Sequence, residues 1–227
     1  NPGFATGDLT LQAGKSIIVN PGVMIDLLNA NLTLRANDPG AVAANRSAGN
    51  ALITLNGGTL KAGTGTIDIS MGSGVNASAT TGGIALTSGL TNAANVVVSH
   101  NGTAASGIDI SGAVIDTDGG QISAGSLVLA ANQGGITSST SSLYLRGNDG
   151  NTVTMRARDD ISLGTNTLNR MGSASDIGVT QLYAGRSVSL TGGMELMLGN
   201  SPLTIRANYF DASAGVSSTR LSGAATI

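Results

Sequence analysis

The chain has 227 residues, a formal net charge of −2, 34 glycines, four prolines, and neither cysteine nor tryptophan. With 41% hydrophobic, 11% charged and 2% aromatic residues, it is not a disordered polymer, a disulfide scaffold or a thiolate metal protein. Its apolar runs are too short to span a membrane as a helix, and the near-neutral charge gives no basis for a nucleic-acid partner. Gly, Ser, Thr and Asn together make up 102 residues, so the backbone is built to turn often. With five aromatics in all, the core falls to Ala, Leu, Ile and Val, which suits a thin repetitive core better than a spherical one.

Short strands are predicted, in chain order, at DLTLQAG (8–14), NLTLRAN (31–37), ITLNGG (53–58), IDISMGSG (67–74), IALTSG (84–89) and IDISGA (108–113). They continue at SLVLAAN (126–132), TVTMRAR (152–158), ISLGTN (161–166), SVSLTGG (187–193) and PLTIRAN (202–208). Each alternates apolar and polar residues and ends in small or turn-forming ones. Helical periodicity is missing almost everywhere, so the chain reads as all-β.

Spacing selects the architecture. Leu9 and Leu32 stand 23 residues apart, and Leu32 to Leu127 is 95 residues, close to four such intervals. Leu127 to Val153 is 26, and Val153 to Val188 is 35, which implies an insertion or a change of coil. A period of 20–25 residues holding two or three strands matches one turn of a parallel β-helix. Roughly nine to eleven coils, and a rod on the order of 45–50 Å long, are expected from the strand spacing. The whole of 1–227 reads as a single solenoid segment, because no linker divides it. Asn37, Asn132 and Asn208 follow strands and are expected to form an amide ladder. Arg35, Arg156 and Arg206 share one outward position, a solvated row that discourages sheet association.

The stretches ALITLNGGTLKAGTGTIDISMGSG (51–74), TGGIALTSGLTNAANVVVSHNG (81–102), GDLTLQAGKSIIVN (7–20) and LYAGRSVSLTGG (182–193) carry a resemblance. The chain resembles the repeat region of filamentous-haemagglutinin-like exoproteins, the large partners of two-partner secretion systems. That resemblance implies a right-handed parallel β-helix exported through an outer-membrane β-barrel transporter. It also implies a secreted or bacterial cell-surface location, with roles in adhesion, aggregation or toxin delivery. NPGF (1–4) and NPG (20–22) are only faint echoes of the family's amino-terminal secretion motif, so the chain is expected to be an internal piece of rod. Its partners would be host or neighbouring-cell surfaces or glycans, or a second copy stacked end to end.

Residues able to do chemistry are few: one His, one Glu and two Lys. His100, before an Asn-Gly turn, is expected at the surface, and Glu195 on an outward strand position. No metal site or cofactor motif is recognisable, and the reading is non-enzymatic. The alternative is a polysaccharide-binding or polysaccharide-cleaving β-helix using Asp116, Asp118 and Tyr209. In an extended segment Asp116 and Asp118 would lie roughly 6–7 Å apart, within the window for two-carboxylate glycoside chemistry. DTDGG also resembles the start of a calcium loop, but Leu127 stands where the bidentate acid belongs. Asp159 and Asp160 follow Arg156 and Arg158 and are expected to form surface ion pairs. Tyr144, Tyr183, Tyr209 and Phe210 are candidate sugar platforms or strand-edge aromatics. Sequons begin at Asn31, Asn45, Asn76 and Asn101, and matter only where a glycosyltransferase meets the chain.

Overall fold

The computed structural model describes residues 7–42, 44, 47, 49–72, 81–101, 107–117, 125–146, 152–171, 178–192, 195–198, 201–209 and 219–221. The first coil runs through β1 (Leu9–Gln12), β2 (Ile17–Val19) and β3 (Met24–Asp26). The second uses β4 (Leu32–Ala36), β5 (Ala51–Asn56) and the start of β6 (Thr59–Met71). The rest of β6 begins the third coil, which continues through β7 (Thr81–Thr87) into β8 (Leu90–His100). The fourth takes the end of β8, β9 (Ile108–Asp109) and β10 (Val114–Asp116). Two long strands follow in the next pair of coils: β11 (Ser126–Ala131) leads to β12 (Ile136–Arg146), and β13 (Thr152–Ala157) to β14 (Ile161–Met171). Then come β15 (Val179–Ala184), β16 (Val188–Leu190), β17 (Glu195–Met197), β18 (Leu203–Arg206) and β19 (Thr219–Leu221).

Every pairing among these strands is parallel. The molecule is a parallel β-solenoid with three faces. Face A stacks β1, β4, the end of β6, the end of β8, β11, β13, β15 and β18. Face B stacks β2, β5, β7, β9, the start of β12, the start of β14, β16 and β19. Face C takes β3, the starts of β6 and β8, β10, the ends of β12 and β14, and β17.

The stack holds fewer coils than the nine to eleven expected. On face A the successive register partners Leu9, Leu32, Ile67, Val96, Leu127, Val153, Thr180 and Leu203 are 23, 35, 29, 31, 26, 27 and 23 residues apart. The 95 residues from Leu32 to Leu127 are therefore three long coils, not four short ones. Val188 is not an equivalent of Val153 at all. It pairs with Ile161 on face B, so the 35-residue interval is a change of face.

Inside, alternation delivers columns of like residues. Face B contributes Ile17, Ile53, Ile84, Ile108, Ile136, Ile161 and Val188 in direct register. Face A contributes Leu11, Leu34, Ile69, Val98, Leu129, Met155, Leu182 and Ile205. All of these except Leu11, Ile17 and Ile205 are buried. Leu11, Ile17, Leu203 and Ile205 are only partly covered, having a neighbouring coil on one side alone. Among the described residues Thr91, His100, Ser138 and Thr180 are polar side chains buried at inward register positions.

The recurring phrases now have a structural reason. In RAN-D (35–38) and RAN-Y (206–209) the asparagine sits in the left-handed region, φ 49° at Asn37 and 52° at Asn208. In both, this Asn and the next residue donate backbone N–H groups to a neighbouring AG-K/R turn: Asn37 to Lys15 O, Asp38 to Ala13 O, Asn208 to Arg186 O and Tyr209 to Ala184 O. Two copies of one turn pair thus close opposite ends of the stack. The expected ladder of Asn37, Asn132 and Asn208 does not form, because these residues lie three coils apart rather than on successive coils. Asn132 Nδ2 instead donates to Asn101 Oδ1 at 2.5 Å, and buried Asn37 donates to Gly72 O at 3.2 Å. At the corner between faces C and A a second polar ladder runs. Asp8 accepts from Asn31 N, Asn31 Oδ1 accepts from Thr66 N, and farther along Asn95 accepts from Ser126 Oγ.

Glycine is required where one coil's turn presses on the next. Leu28 turns with φ 58°, its N–H held by Asp26 Oδ1, and its carbonyl then points at Gly63. A Cβ on Gly63 would lie 1.4 Å from Leu28 O, whereas one on Gly22, also at positive φ, meets nothing within 4 Å. Gly22→Ala is expected to cost about 1 kcal/mol, the strain of a left-handed alanine. Gly63→Ala adds backbone overlap and is expected to cost more than about 4 kcal/mol or prevent folding. Chemical denaturation of the two variants checks this, and equal costs would contradict the coil contact.

Candidate functional site

Asp116 ends β10 on face C, in register with Asn92 and Tyr144. Asp118 lies outside the described residues. Tyr209 follows β18 at the far end of face A and is 42% exposed. Asp116 and Tyr209 therefore occupy different faces, four coils apart, and do not converge. Of the other sequence candidates, Phe210, Asn45 and Asn76 lie outside the described residues. Asn31 and Asn101 have side-chain oxygens already committed to the coil-to-coil bonds given above.

His100 differs from expectation. It is fully buried, at an inward position of β8 in register with Met71 and Ala131. Nε2 lies 3.0 Å from Gly82 O in the preceding coil and Nδ1 3.1 Å from Gln133 O in the following one. A neutral imidazole donates to one of these carbonyls and an imidazolium to both. His100 ties three successive coils together, beside the point where the chain leaves face A. Sequence alternation carried the signal: in VVVSH, Val96, Val98 and His100 share one face.

Two places on the outer surface of face A gather polar groups. The first is a groove of about 450 Å³ between β4, β6 and β8 and under the Asp38–Pro39 turn. It continues into a recess of about 340 Å³ that shares Arg35 and Asp38. Registers Thr33 to Asp68 and Arg35 to Ser70 set Arg35 and Asp68 diagonally on the outward face. Burial pushes the half-buried Asp68 carboxyl above the usual carboxylate range, and the Arg35 charge opposes that shift. Ser70 Oγ is buried with no hydrogen-bond partner among the described residues. Asp38 Oδ1 accepts from Gly40 N at 2.8 Å, which fixes the overlying turn. The groove thus presents a guanidinium and a carboxyl side by side, with the Ser70 hydroxyl buried beneath them. Sequence reasoning passed over Asp68 because IDIS reads as an ordinary strand. Only the register that sets it beside Arg35 distinguishes it.

The second place is at the other end of face A. Arg35, Arg156 and Arg206 do occupy one outward column, but Ser70, Ser99 and Ala130 separate the first from the others. The continuous part runs Arg156, Tyr183, Arg206 in direct register. Tyr183 and Tyr209, 26 residues apart in sequence, stack with centroids 4.4 Å apart and planes 22° apart. The Arg206 guanidinium lies 5.9 Å from the Tyr183 centroid and 5.7 Å from that of Tyr209, a cation–π geometry. The expected ion patch around Asp159 and Asp160 is arranged differently. Asp160 pairs with Arg186 of the next coil at 3.7 Å and accepts from Ser187 N, while Arg158 donates to the Gln133 side chain.

Among the described residues no three His, Cys, Asp or Glu side chains are placed to hold a metal ion. Among the described residues no helix is long and apolar enough to cross a membrane. Comparisons with protein families, with curated proteins and with solved structures find no match for this chain.

The Asp68 carboxyl supplies a pH test with a definite sign. Its folded-state pKa is raised, so the folded chain binds more protons between the unfolded and folded values, and stability falls as pH rises through that window. Asp68→Asn should therefore melt higher than the parent at pH 7, with the difference vanishing by pH 3. Asp8 shifts the other way, because its bond from the Asn31 N–H lowers its pKa. Asp8→Asn should be less stable than the parent at pH 7 and should match it at low pH. Thermal melts across pH check both signs.

Proposed function

We propose that the chain is a section of the rigid rod of a secreted bacterial surface adhesin or fibre-forming exoprotein of the filamentous-haemagglutinin kind. The observation that carries this reading is the unbroken stacking of three parallel faces on one aliphatic core. Backbone hydrogen bonds run along the rod axis, and each coil is held by the coils on either side of it. Such a body transmits position: it holds binding surfaces away from a cell and repeats weak contacts along its length. Export through an outer-membrane β-barrel transporter follows from the sequence resemblance, and a chain without cysteine has no disulfide to obstruct passage in an unfolded state. Its partners are host or neighbouring-cell surfaces and their glycans.

A second reading, polysaccharide cleavage, is favoured by one feature: the groove where Asp68, with its raised pKa, faces Arg35 and Asp38. The two readings separate in one assay. The purified chain is incubated with polygalacturonate, alginate and heparin, and reducing and unsaturated ends are measured. Beads coated with the same chain are tested for attachment to epithelial cells. The rod reading predicts attachment and no release of new ends. Release that is lost in Asp68→Asn or Asp116→Ala would overturn it in favour of an enzyme.

A further inference from the structure

We infer that the Arg156–Tyr183–Arg206 column and Tyr209 form a binding subsite for anionic saccharides, an inference that rests on the adhesive reading and gives it a ligand class. Register sets the spacing of the subsite. Three coils present Arg156, Tyr183 and Arg206 outward in direct succession, about 4.8 Å apart along the rod. The neighbouring outward column of the same coils is Thr154, Gln181 and Thr204. Cation, ring and cation therefore lie in a line, flanked by hydroxyl and amide groups, on a flat sheet face whose repeat is close to the length of one sugar ring.

The local chemistry favours an acid over a neutral sugar. Arg206 is exposed and rests against both tyrosine rings. The π-face contact uses the flat side of the guanidinium and leaves its N–H donors, which lie in the plane, for hydrogen bonds. Among the described residues no carboxylate pairs with Arg206. The stack of Tyr183 on Tyr209 limits the motion of the rings that carry it, so a planar donor fork is held in place before a ligand arrives. A planar fork of this kind matches carboxylate or sulfate oxygens. The tyrosines add apolar ring surface for the C–H face of a sugar. A pocket of about 210 Å³ opens beside the column, lined by Ala131, Asn132, Arg156, Ala157 and Arg158.

Charge points the same way. In a chain of net charge −2, the described residues on and beside face A in these coils include Arg156, Arg158, Arg186 and Arg206 together with Asp159 and Asp160, and Asp160 is paired with Arg186.

The test measures binding of the full chain to three sets of size-matched oligosaccharides: oligogalacturonate carrying carboxylates only, sulfated dextran fragments carrying sulfates only, and neutral maltohexaose. Binding to either anionic set, weakening as salt rises and at least tenfold tighter than to maltohexaose, supports the subsite, and the preferred set names the anion. Arg206→Gln is expected to weaken that binding at least tenfold, and Arg206→Lys less, with melting temperatures unchanged. Tyr183→Ala is expected to lower affinity for both anionic sets. Equal binding of maltohexaose, or anionic binding untouched by Arg206→Gln in a folded protein, overturns the inference. Attachment of Arg206→Gln beads to cells at parental strength would place the failure in this subsite and leave the rod reading standing. Anionic-glycan binding without any cell attachment would support the subsite and overturn that reading.

Discussion

Each strand in this chain points its amides and carbonyls at the coil before it and the coil after it, and none of them can be left dry and unpaired. That requirement, met by parallel register on three faces at once, governs the rest of the structure. It forces inward positions to recur in columns, because a residue's neighbours are its register partners one coil away. It explains why isoleucine can fill one column from Ile17 to Ile161 and why aromatics are not needed: the core is only as wide as one coil. It also makes corners, not strands, the demanding places. Corners are where Asn37 and Asn208 adopt left-handed backbone, where Asp8, Asn31 and Thr66 pass hydrogen bonds from coil to coil, and where Gly63 yields space to the Leu28 carbonyl.

Coil length varies without disturbing the stack, because additional residues leave at corners. Coils two to four lengthen between faces A and B, at 37–50, 72–80 and 101–107. Later coils lengthen between faces C and A, at 117–125, 147–151 and 172–178. The corner between B and C stays short throughout, at 20–23, 57–58, 88–89, 110–113 and 191–194. Both polar surfaces described above lie on face A, which these variable connections precede or follow in sequence. The groove at Arg35 and Asp68 lies beside the Asp38–Pro39 turn, and the tyrosine–arginine column lies on the coils beyond the last A-to-B insertion. His100 is buried where such an insertion begins, bonded to the coils above and below. A buried side chain at that junction keeps a long connection from loosening the strands it joins.

Much of this was legible in sequence. Period-two alternation, turn residues after each strand and the absence of helical periodicity identify a parallel solenoid, and the RAN and AG-K/R phrases mark a real turn pair. The coil count was not legible, since a single 23-residue period was fitted to coils of 23 to 35 residues. Strands of different faces also look alike: SVSLTGG on face B has the same pattern as the face A phrases, so Val188 was aligned with the wrong partner. The polar sites were hidden for the same reason. Tyr183 and Tyr209, or Arg35 and Asp68, meet only through register, which spacing alone does not supply when coil lengths vary. His100 was misplaced because its Asn-Gly neighbour outweighed the alternation of VVVSH. Asp116 and Tyr209 were grouped by residue type, and the faces that carry them look in different directions.

Register is thus the claim on which both the fold and the proposed surfaces stand, and a cysteine-free chain allows it to be read directly. Thr33→Cys paired with Asp68→Cys joins outward neighbours of adjacent coils, 35 residues apart. Thr33→Cys paired with Asn56→Cys joins positions one 23-residue period apart. Parallel neighbours at about 4.8 Å fall within the reach of a disulfide. Under mild oxidation the account predicts rapid, complete cross-linking of the first pair in the monomer and none of the second. Cross-linking of the second pair in place of the first would contradict it.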